Sequence, residues 1–199
     1  MSHTVEYYFT PVSPWTYLGH TRFVALARQH QARVLVRPID LGRVFGVSGG
    51  IPLAKRAPQR QAYRLVELAR WRESTGLPLN LHPKHFPVPA DLAARTIIAA
   101  DLAQGTEAAL DLAGALMRAC WAEDRDVSAP DTVAAIVAEA GLPAAALAAQ
   151  ADAAQAAFER YTEEAMAHEV FGAPWYRIDG EPFWGQDRLE FVARALERP

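Results

Sequence analysis

The chain has 199 residues, a formal net charge of −3 and a single cysteine, Cys120. This length is enough for a substantial core, in one large domain or in one domain that carries an insertion. The weak negative charge excludes a general attraction to nucleic acid or anionic lipid, and one cysteine excludes an intrachain disulfide. The Ala-rich middle is interrupted too often by Asp and Glu for a membrane span. We therefore expect a cytoplasmic protein without nucleic-acid or membrane partners.

The first elements predict a strand, a helix and a second strand. Residues 5–9 are aromatic and β-branched, as in a buried strand, and Pro14 begins an amphipathic helix that extends to about residue 30. Residues 32–38 again have the composition of a strand. Such a βαβ unit is nearly always right-handed, with parallel strands. Residues 39–58 are rich in glycine and contain two prolines, which predicts a long, functional loop.

A helical block fills the middle of the chain. Its periodicity predicts six helices, with a Pro-rich connector at residues 78–89 after the first. The six predicted helices are residues 60–74, 90–104, 107–121, 130–140, 143–153 and 156–168. Because no fixed repeat period links them, we expect a helical bundle and not a solenoid.

Strand signals return after the helical block. Residues 174–178 and 181–184 flank Asp179-Gly180, a strong two-residue hairpin turn, and a last amphipathic helix follows. The order βαβ, helical insertion, ββα is the thioredoxin topology. The predicted fold is therefore α/β, with a thioredoxin-like sheet and an inserted all-helical domain.

This order also predicts the domain boundaries. Residues 1–58 and 169–199 would form the thioredoxin-like domain, and residues 59–168 the inserted helical domain. The prediction depends on the two strand-rich segments pairing in one sheet across the insertion.

Ser13 stands at the joint between the first strand and the first helix. Pro14 suits the first helical position, because its missing N–H is no loss there and its φ is already helical. Ser13 is therefore predicted as the N-cap. It can act only as a cap, by accepting a hydrogen bond from the first turn. Alternatively its hydroxyl, the free N–H groups and the positive end of the helix dipole together stabilise an anion brought by a ligand.

Two motifs indicate a known family. Ser13-Pro14-Trp15-Thr16 stands where thioredoxin-like and DsbA-like oxidoreductases have Cys-x-x-Cys, and Gly172-Ala173-Pro174 stands where that fold has a cis-proline. Both cysteines are absent. Over nearly its whole length the chain resembles the serine-bearing branch, the 2-hydroxychromene-2-carboxylate isomerases and the kappa-class glutathione transferases. The further matching motifs are Asp40-Leu41, Arg70-Trp71, Gly76-Leu77-Pro78, Val170-Phe171 and Trp184-Gly185-Gln186-Asp187-Arg188-Leu189.

The resemblance implies glutathione as the cofactor. Ser13 would hold the glutathione thiolate and would not itself be the nucleophile. A cis-Pro174 would leave the backbone of Ala173 free to pair with the cysteinyl residue of glutathione. The N–H groups of Gln186 and Asp187 would bind the γ-glutamyl carboxylate, and the Asp187 carboxylate its ammonium. Asp187 can also be a first-turn acid that favours the helix dipole, but the motif favours binding.

Cations and aromatic side chains complete the predicted site. Residues 55–72 are rich in Lys and Arg, most of which we expect on a solvated face. Lys55 and Arg56 are the candidates to bind ligand carboxylates, because cations on a loop over the site would attract these negative groups. The candidates for the substrate pocket are Trp15, Tyr17, Asn80 and Trp175. Phe183 and Trp184 are expected in the core.

Together these inferences predict a glutathione-dependent isomerase. It would convert 2-hydroxychromene-2-carboxylate, or a related intermediate of aromatic degradation, to trans-o-hydroxybenzylidenepyruvate without consuming glutathione. Its partners would be glutathione and a small anionic aromatic substrate, with no metal ion. The alternatives are a kappa-like glutathione transferase or peroxidase, and a non-catalytic DsbA-like binding module. A homodimer is expected, since such folds often dimerise.

Overall fold

A computed structural model describes residues 3–198, in which four strands form one mixed sheet. The strands are β1 (Thr4–Phe9), β2 (Arg33–Pro38), β3 (Trp175–Ile178) and β4 (Glu181–Trp184). Their order across the sheet is β2-β1-β3-β4; β1 is parallel to β2 and antiparallel to β3, and β3 is antiparallel to β4. The predicted thioredoxin-like α/β fold is confirmed.

Nine helices accompany the sheet in the described part of the chain. They are α1 (Pro14–Gln29), α2 (Leu41–Ser48), α3 (Pro58–Thr75), α4 (Asp91–Gln104), α5 (Thr106–Trp121), α6 (Pro130–Glu139), α7 (Ala144–Ala148), α8 (Ala151–Ala167) and α9 (Leu189–Leu196). Short 3₁₀ turns, Leu53–Lys55 and Gln186–Arg188, precede α3 and α9. Between residues 3 and 198, no helix is long and apolar enough to cross a membrane.

The predicted loop at residues 39–58 is wrong in its first half, because α2 forms there. The carboxylate of Asp40 caps this helix by accepting hydrogen bonds from the N–H groups of Gly42 (2.8 Å) and Arg43 (3.1 Å). Gly49 ends it in the left-handed conformation, with φ 75°. Glycines in the segment suggest a loop, since each costs about 1 kcal/mol inside a helix. The cap and the contact of α2 with α8 outweigh that cost.

The helices predicted at residues 143–153 and 156–168 are divided differently. In the structure α7 ends at Ala148 and α8 begins at Ala151. A run of alanines favours helix at every position and carries no local stop signal, so intrinsic propensity does not locate this boundary.

β1 carries core residues on both faces of the sheet. On one face the ring of Tyr7 stacks on Tyr176 of β3, with centroids 5.4 Å apart, and lies 4.5 Å from Phe23 of α1. On the other face the hydroxyl of Tyr8 lies 3.0 Å from Nδ1 of His168, just after α8. Helices α4, α5 and α8 all contact β2. The helical block thus packs directly on the sheet, while its status as a separate domain stays a prediction.

His20 is buried in α1, between β1 and α5. Its Nδ1 lies 3.2 Å from the hydroxyl of Tyr7, and its Nε2 lies 2.9 Å from the carbonyl oxygen of Leu110. Because a carbonyl can only accept, Nε2 carries the hydrogen and Nδ1 accepts from the tyrosine in the neutral ring. Burial lowers the pKa of His20 to about 4, since the charged ring would lose its hydration.

The buried neutral ring predicts a loss of stability in acid. The pKa is about 4 in the folded chain and about 6.5 in the unfolded chain, so the unfolded state binds the extra proton between these values. The contribution of His20 is complete above about pH 6.5 and decreases by about 3 kcal/mol as the pH falls to about 4. We expect the difference in unfolding free energy between the parent and His20→Asn to shrink over this window in urea denaturation. A difference that stays constant would contradict the neutral ring.

Candidate active site

A cleft of about 680 Å³ opens at the end of β1 and the start of α1. It is closed on the other sides by α2 and the turn after it, by the first part of α3, and by residues 171–173 before β3. The polar, charged and aromatic residues that line it are Thr10, Ser13, Trp15, Phe45, Ser48, Arg56, Arg60, Arg64, Phe86, Phe171 and Trp184. Of the predicted site residues, the cleft brings together Ser13, Trp15, Arg56 and Ala173.

Ser13 is the N-cap of α1 and lies at the wall of this cleft. Its Oγ accepts a hydrogen bond from the N–H of Thr16 (3.2 Å), while its own N–H donates to the carbonyl of Thr10 (3.1 Å). Pro14 occupies the first helical position and has no N–H. Within residues 3–198 the N–H of Trp15 has no acceptor, and neither has the hydroxyl hydrogen of Ser13. Two donors and the positive end of the α1 dipole therefore remain available to an anion.

Ala173 supplies a stretch of unpaired backbone to the opposite wall. The peptide bond from Ala173 to Pro174 is cis, as the motif predicts. The carbonyl of Pro174 accepts from the N–H of Gly185 (2.9 Å), which joins this segment to the end of β4. In the described residues neither the N–H nor the carbonyl of Ala173 is hydrogen-bonded, so an extended peptide can pair with it.

Trp184 belongs to the cleft, and the prediction that it lies in the core is wrong. The residue is 52% exposed and lines the cleft beside Phe171. The two rings are T-shaped, with centroids 4.8 Å apart. Gly172 makes this position possible, because the indole lies where a Cβ on Gly172 would stand. Phe183, on the other side of β4, is half-buried against the core.

The ionisable side chains that line the cleft, among the described residues, are Arg56, Arg60 and Arg64. None of them forms a salt bridge within residues 3–198. Arg64 is half-buried, which corrects the expectation of a solvated face at this position. The four-residue spacing of Arg60 and Arg64 was the available signal, since it places both side chains on one side of a helix. The cleft wall is strongly positive although the chain is net negative.

Gln186 and Asp187 lie outside the cleft lining, in the turn that follows Trp184 at the end of β4. The buried Gln186 is held by Arg22, whose Nη2 donates to both its carbonyl (3.2 Å) and its side-chain oxygen. The carboxylate of Asp187 is exposed and lies 3.1 Å from the guanidinium of Arg188. In the part of the chain that the structure describes, the N–H groups of Gln186 and Asp187 have no acceptor.

Besides Pro174, Gln186 and Asp187, four further predicted residues do not line the cleft. Tyr17 donates its hydroxyl hydrogen to the carbonyl of Pro78 (2.7 Å) and faces a separate cavity of about 480 Å³. Asn80 is fixed to the end of α5 by its backbone N–H, and Trp175 is buried in β3. Lys55 is exposed on the turn before α3. The sequence pattern near the site could not show which side of each element these side chains occupy.

The sheet order, the cis-proline and the capped helix start define the class of the protein, a thioredoxin-fold domain of the DsbA type. Residues 4–197 match the profile of the DsbA-like thioredoxin domain. The 2-hydroxychromene-2-carboxylate isomerase of Pseudomonas putida is 31% identical, covering 98% of this chain and 94% of the relative. That of Sphingobium xenophagum is 28% identical, covering 98% and 99%. The chain belongs to the DsbA-like family and, within it, to the 2-hydroxychromene-2-carboxylate isomerases.

Solved structures agree with this assignment. A 2-hydroxychromene-2-carboxylate isomerase has a TM-score of 0.79 and 26% identity, covering 97% of this chain and 94% of its own. The cytosolic disulfide reductase DsbM from Pseudomonas aeruginosa, at 18% identity and a TM-score of 0.68, shares the fold, covering 96% and 93%. The predicted resemblance is confirmed, and the named relatives support an isomerase that acts on a small molecule.

Gly19 is predicted to be essential for placing the turn that contains Gln186. A Cβ on Gly19 would lie 2.5 Å from the Cβ of Gln186, so Gly19→Ala forces the turn away from α1. We expect this variant to lose about 1 to 3 kcal/mol of stability, the usual cost of overpacking. Gly46→Ala is the matched control, because a Cβ there meets nothing within 4 Å. It should gain up to about 1 kcal/mol from helix propensity. Equal effects of both substitutions in thermal denaturation would contradict this contact.

Proposed function

We propose that this protein isomerises 2-hydroxychromene-2-carboxylate, or a related intermediate of aromatic degradation, with glutathione as a cofactor that is not consumed. The observation that carries the proposal is the start of α1. There, as far as the structure describes the chain, the hydroxyl hydrogen of Ser13 and the N–H of Trp15 have no acceptor, at the wall of a positive cleft. This arrangement suits a thiolate from glutathione.

The free energy needed to lower the thiol pKa is of the size that a serine at a helix start can supply. A free thiol has a pKa near about 8.5, and lowering it by about two units requires about 2.7 kcal/mol of preferential stabilisation of the thiolate. A hydrogen bond to a charged group contributes about 1.5 to 3 kcal/mol and a helix dipole about 0.3 to 1 kcal/mol. Ser13 with the α1 terminus can therefore supply the whole shift. A general base is unnecessary for this role, and the described lining of the cleft contains no His, Asp or Glu.

The peptide part of glutathione would be held by groups on both sides of Ser13. The unpaired backbone of Ala173, before Pro174, would pair with the cysteinyl residue. The free N–H groups of Gln186 and Asp187 would bind the γ-glutamyl carboxylate, and the Asp187 carboxylate its ammonium. Arg56, with Lys55 on the adjoining turn, would meet the glycyl carboxylate. DsbM of Pseudomonas aeruginosa has been solved with GSH, but that likeness bears on the fold alone, so the proposal depends on this chain's own groups.

The chemistry needs no net transfer of protons or electrons. Glutathione held by Ser13, Ala173 and Arg56 would supply a nucleophile that adds to the substrate and leaves again, so that the ring could open and the bond could rotate to the trans form without net change of the cofactor. The exposed rings of Trp184 and Phe171, with Trp15, provide an apolar wall for an aromatic substrate. We place the enzyme in the cytoplasm, as a homodimer.

Counting free thiol during turnover tests this function. With a chromene carboxylate as substrate, an isomerase requires glutathione but leaves its concentration constant. A kappa-like transferase loses one thiol per product and forms a thioether. A binding module of DsbA type gives no conversion. Stoichiometric thiol loss, or conversion without glutathione, would refute the proposal.

Ser13→Ala is expected to reduce turnover far more than glutathione affinity. The variant keeps the helix dipole and the peptide contacts but loses the hydroxyl donor, so the pKa of bound glutathione should return toward its free value. Loss of the cap should also cost about 1 kcal/mol of stability. Ultraviolet titration of the bound thiolate measures the pKa.

Ser48→Ala is the matched control for this substitution. Ser48 also lines the cleft, and its buried hydroxyl oxygen has no hydrogen-bond partner in the described residues. It should leave the thiol pKa unchanged. The assignment to Ser13 fails where both variants retain the parent thiol pKa, or where Ser48→Ala alone shifts it.

A further inference from the structure

Arg64 is a half-buried cation in the cleft wall that lacks an anionic partner among residues 3–198. Its guanidinium carbon lies 5.5 Å from the ring centroid of Phe86 and 5.6 Å from that of Trp121. Its Nη2 is buried, and no group in the described chain accepts a hydrogen bond from it. Burial lowers the pKa of Arg64 to about 10, and the charge of Arg56 adds to this effect. A cation held partly out of water without a counter-ion is suited to bind an anion from solution.

The other two arginines of the cleft are placed differently. The Nε of Arg56 donates to the carbonyl of Ile51 (2.7 Å), which fixes it to the turn after α2. Arg60 is exposed on the first turn of α3. Arg64 lies one helical turn further along and packs against two aromatic rings, of which Phe86 also lines the cleft. The guanidinium of Arg64 thus lies over an aromatic ring that also lines the cleft, which holds the cation in the cleft wall without neutralising its charge.

We propose that Arg64 binds the carboxylate of the aromatic substrate while the substrate ring lies on the apolar wall of the cleft, so that Arg64 selects carboxylates over neutral analogues. The inference rests on the proposed function, since it concerns the second substrate of the same cleft. A guanidinium is planar and pairs with a carboxylate through two parallel hydrogen bonds. The ring-closed substrate carries its carboxylate on a saturated carbon at one end of a flat aromatic system, and the open product carries it at the end of a conjugated chain. In both forms a cation at the end of an apolar wall can meet the carboxylate. The substrate then supplies the counter-charge that the protein lacks there.

Two stable probes test the carboxylate selectivity. Chromone-2-carboxylate is a planar acid, and chromone-2-carboxamide is its neutral counterpart of nearly equal shape. Calorimetry with S-methylglutathione present measures both affinities without reaction. We expect the parent protein to prefer the acid by about 10- to 100-fold, and Arg64→Gln to lose most of this preference through weaker acid binding. A purely structural role of Arg64 would weaken both probes equally and leave their ratio unchanged.

Three further variants make the outcome decisive. Arg70→Gln removes the same charge from α3 at a residue that pairs with Glu67 outside the cleft lining, so it should keep the preference. Arg64→Lys retains the charge and should recover part of the preference for the acid. This variant therefore tests the role of the charge even if Arg64→Gln folds poorly. The proposal is overturned if the parent does not prefer the acid, or if Arg60→Gln abolishes a preference that Arg64→Gln retains.

The same measurements separate this inference from the proposed function. A parent that shows no glutathione-dependent conversion, yet keeps an acid preference that depends on Arg64, would refute the function and support the anion site. If glutathione-dependent conversion proceeds normally while Arg64→Gln leaves the acid preference intact, the function is supported and the anion site at Arg64 is refuted.

Discussion

The start of α1 is the constraint on which the site depends. Pro14 has no N–H, the hydroxyl oxygen of Ser13 accepts from the N–H of Thr16, and within residues 3–198 the N–H of Trp15 has no acceptor. Capping uses a lone pair of the Ser13 oxygen, whereas anion binding would use its hydrogen. The two roles that the sequence allows for Ser13 therefore do not compete. A side chain that stabilises the helix can also present a fixed donor at its positive end, which lowers the cost of ordering that donor when a ligand binds.

Local charge, and not net charge, makes the cleft positive. The chain has a formal net charge of −3, yet three arginines and no acid line the cleft in the described residues. Many acidic side chains are used in pairs elsewhere, such as Glu164 with Arg37 (2.6 Å) at the sheet and Glu139 with Arg125 (2.8 Å) near α6. Field lines concentrate in a cleft with apolar walls, so the unpaired arginines act at short range even in a net negative protein.

The parts of the site that the sequence predicted depend on local signals. Ser13-Pro14 specifies a helix start through φ and a missing donor, and Asp179-Gly180 specifies a hairpin through its turn geometry. The parts that it missed depend on contacts between distant segments. The exposure of Trp184 depends on Gly172, which leaves room for the indole, and Arg64 is held by rings from other segments. Composition cannot distinguish such an arginine from a solvated one, because the difference arises only when α3 docks.

The chain's one cysteine is not placed to supply a thiolate at Ser13, so a thiol that acts beside this serine would have to come from a ligand. Cys120 is buried in α5, and burial raises its pKa to about 12, so it is protonated and inaccessible at neutral pH. The Cys-x-x-Cys oxidoreductases that the motif resembles have a cysteine where this chain has Ser13, and a helix terminus at that position would stabilise a thiolate. That stabilisation comes mainly from backbone N–H groups and the dipole, which a change from cysteine to serine leaves intact. Under the proposed function, the exchange would therefore change where the sulfur comes from and keep the anion site. A thiolate that is not bonded to the protein must be positioned by its own peptide, which gives the free backbone of Ala173 and the positive cleft wall their proposed roles.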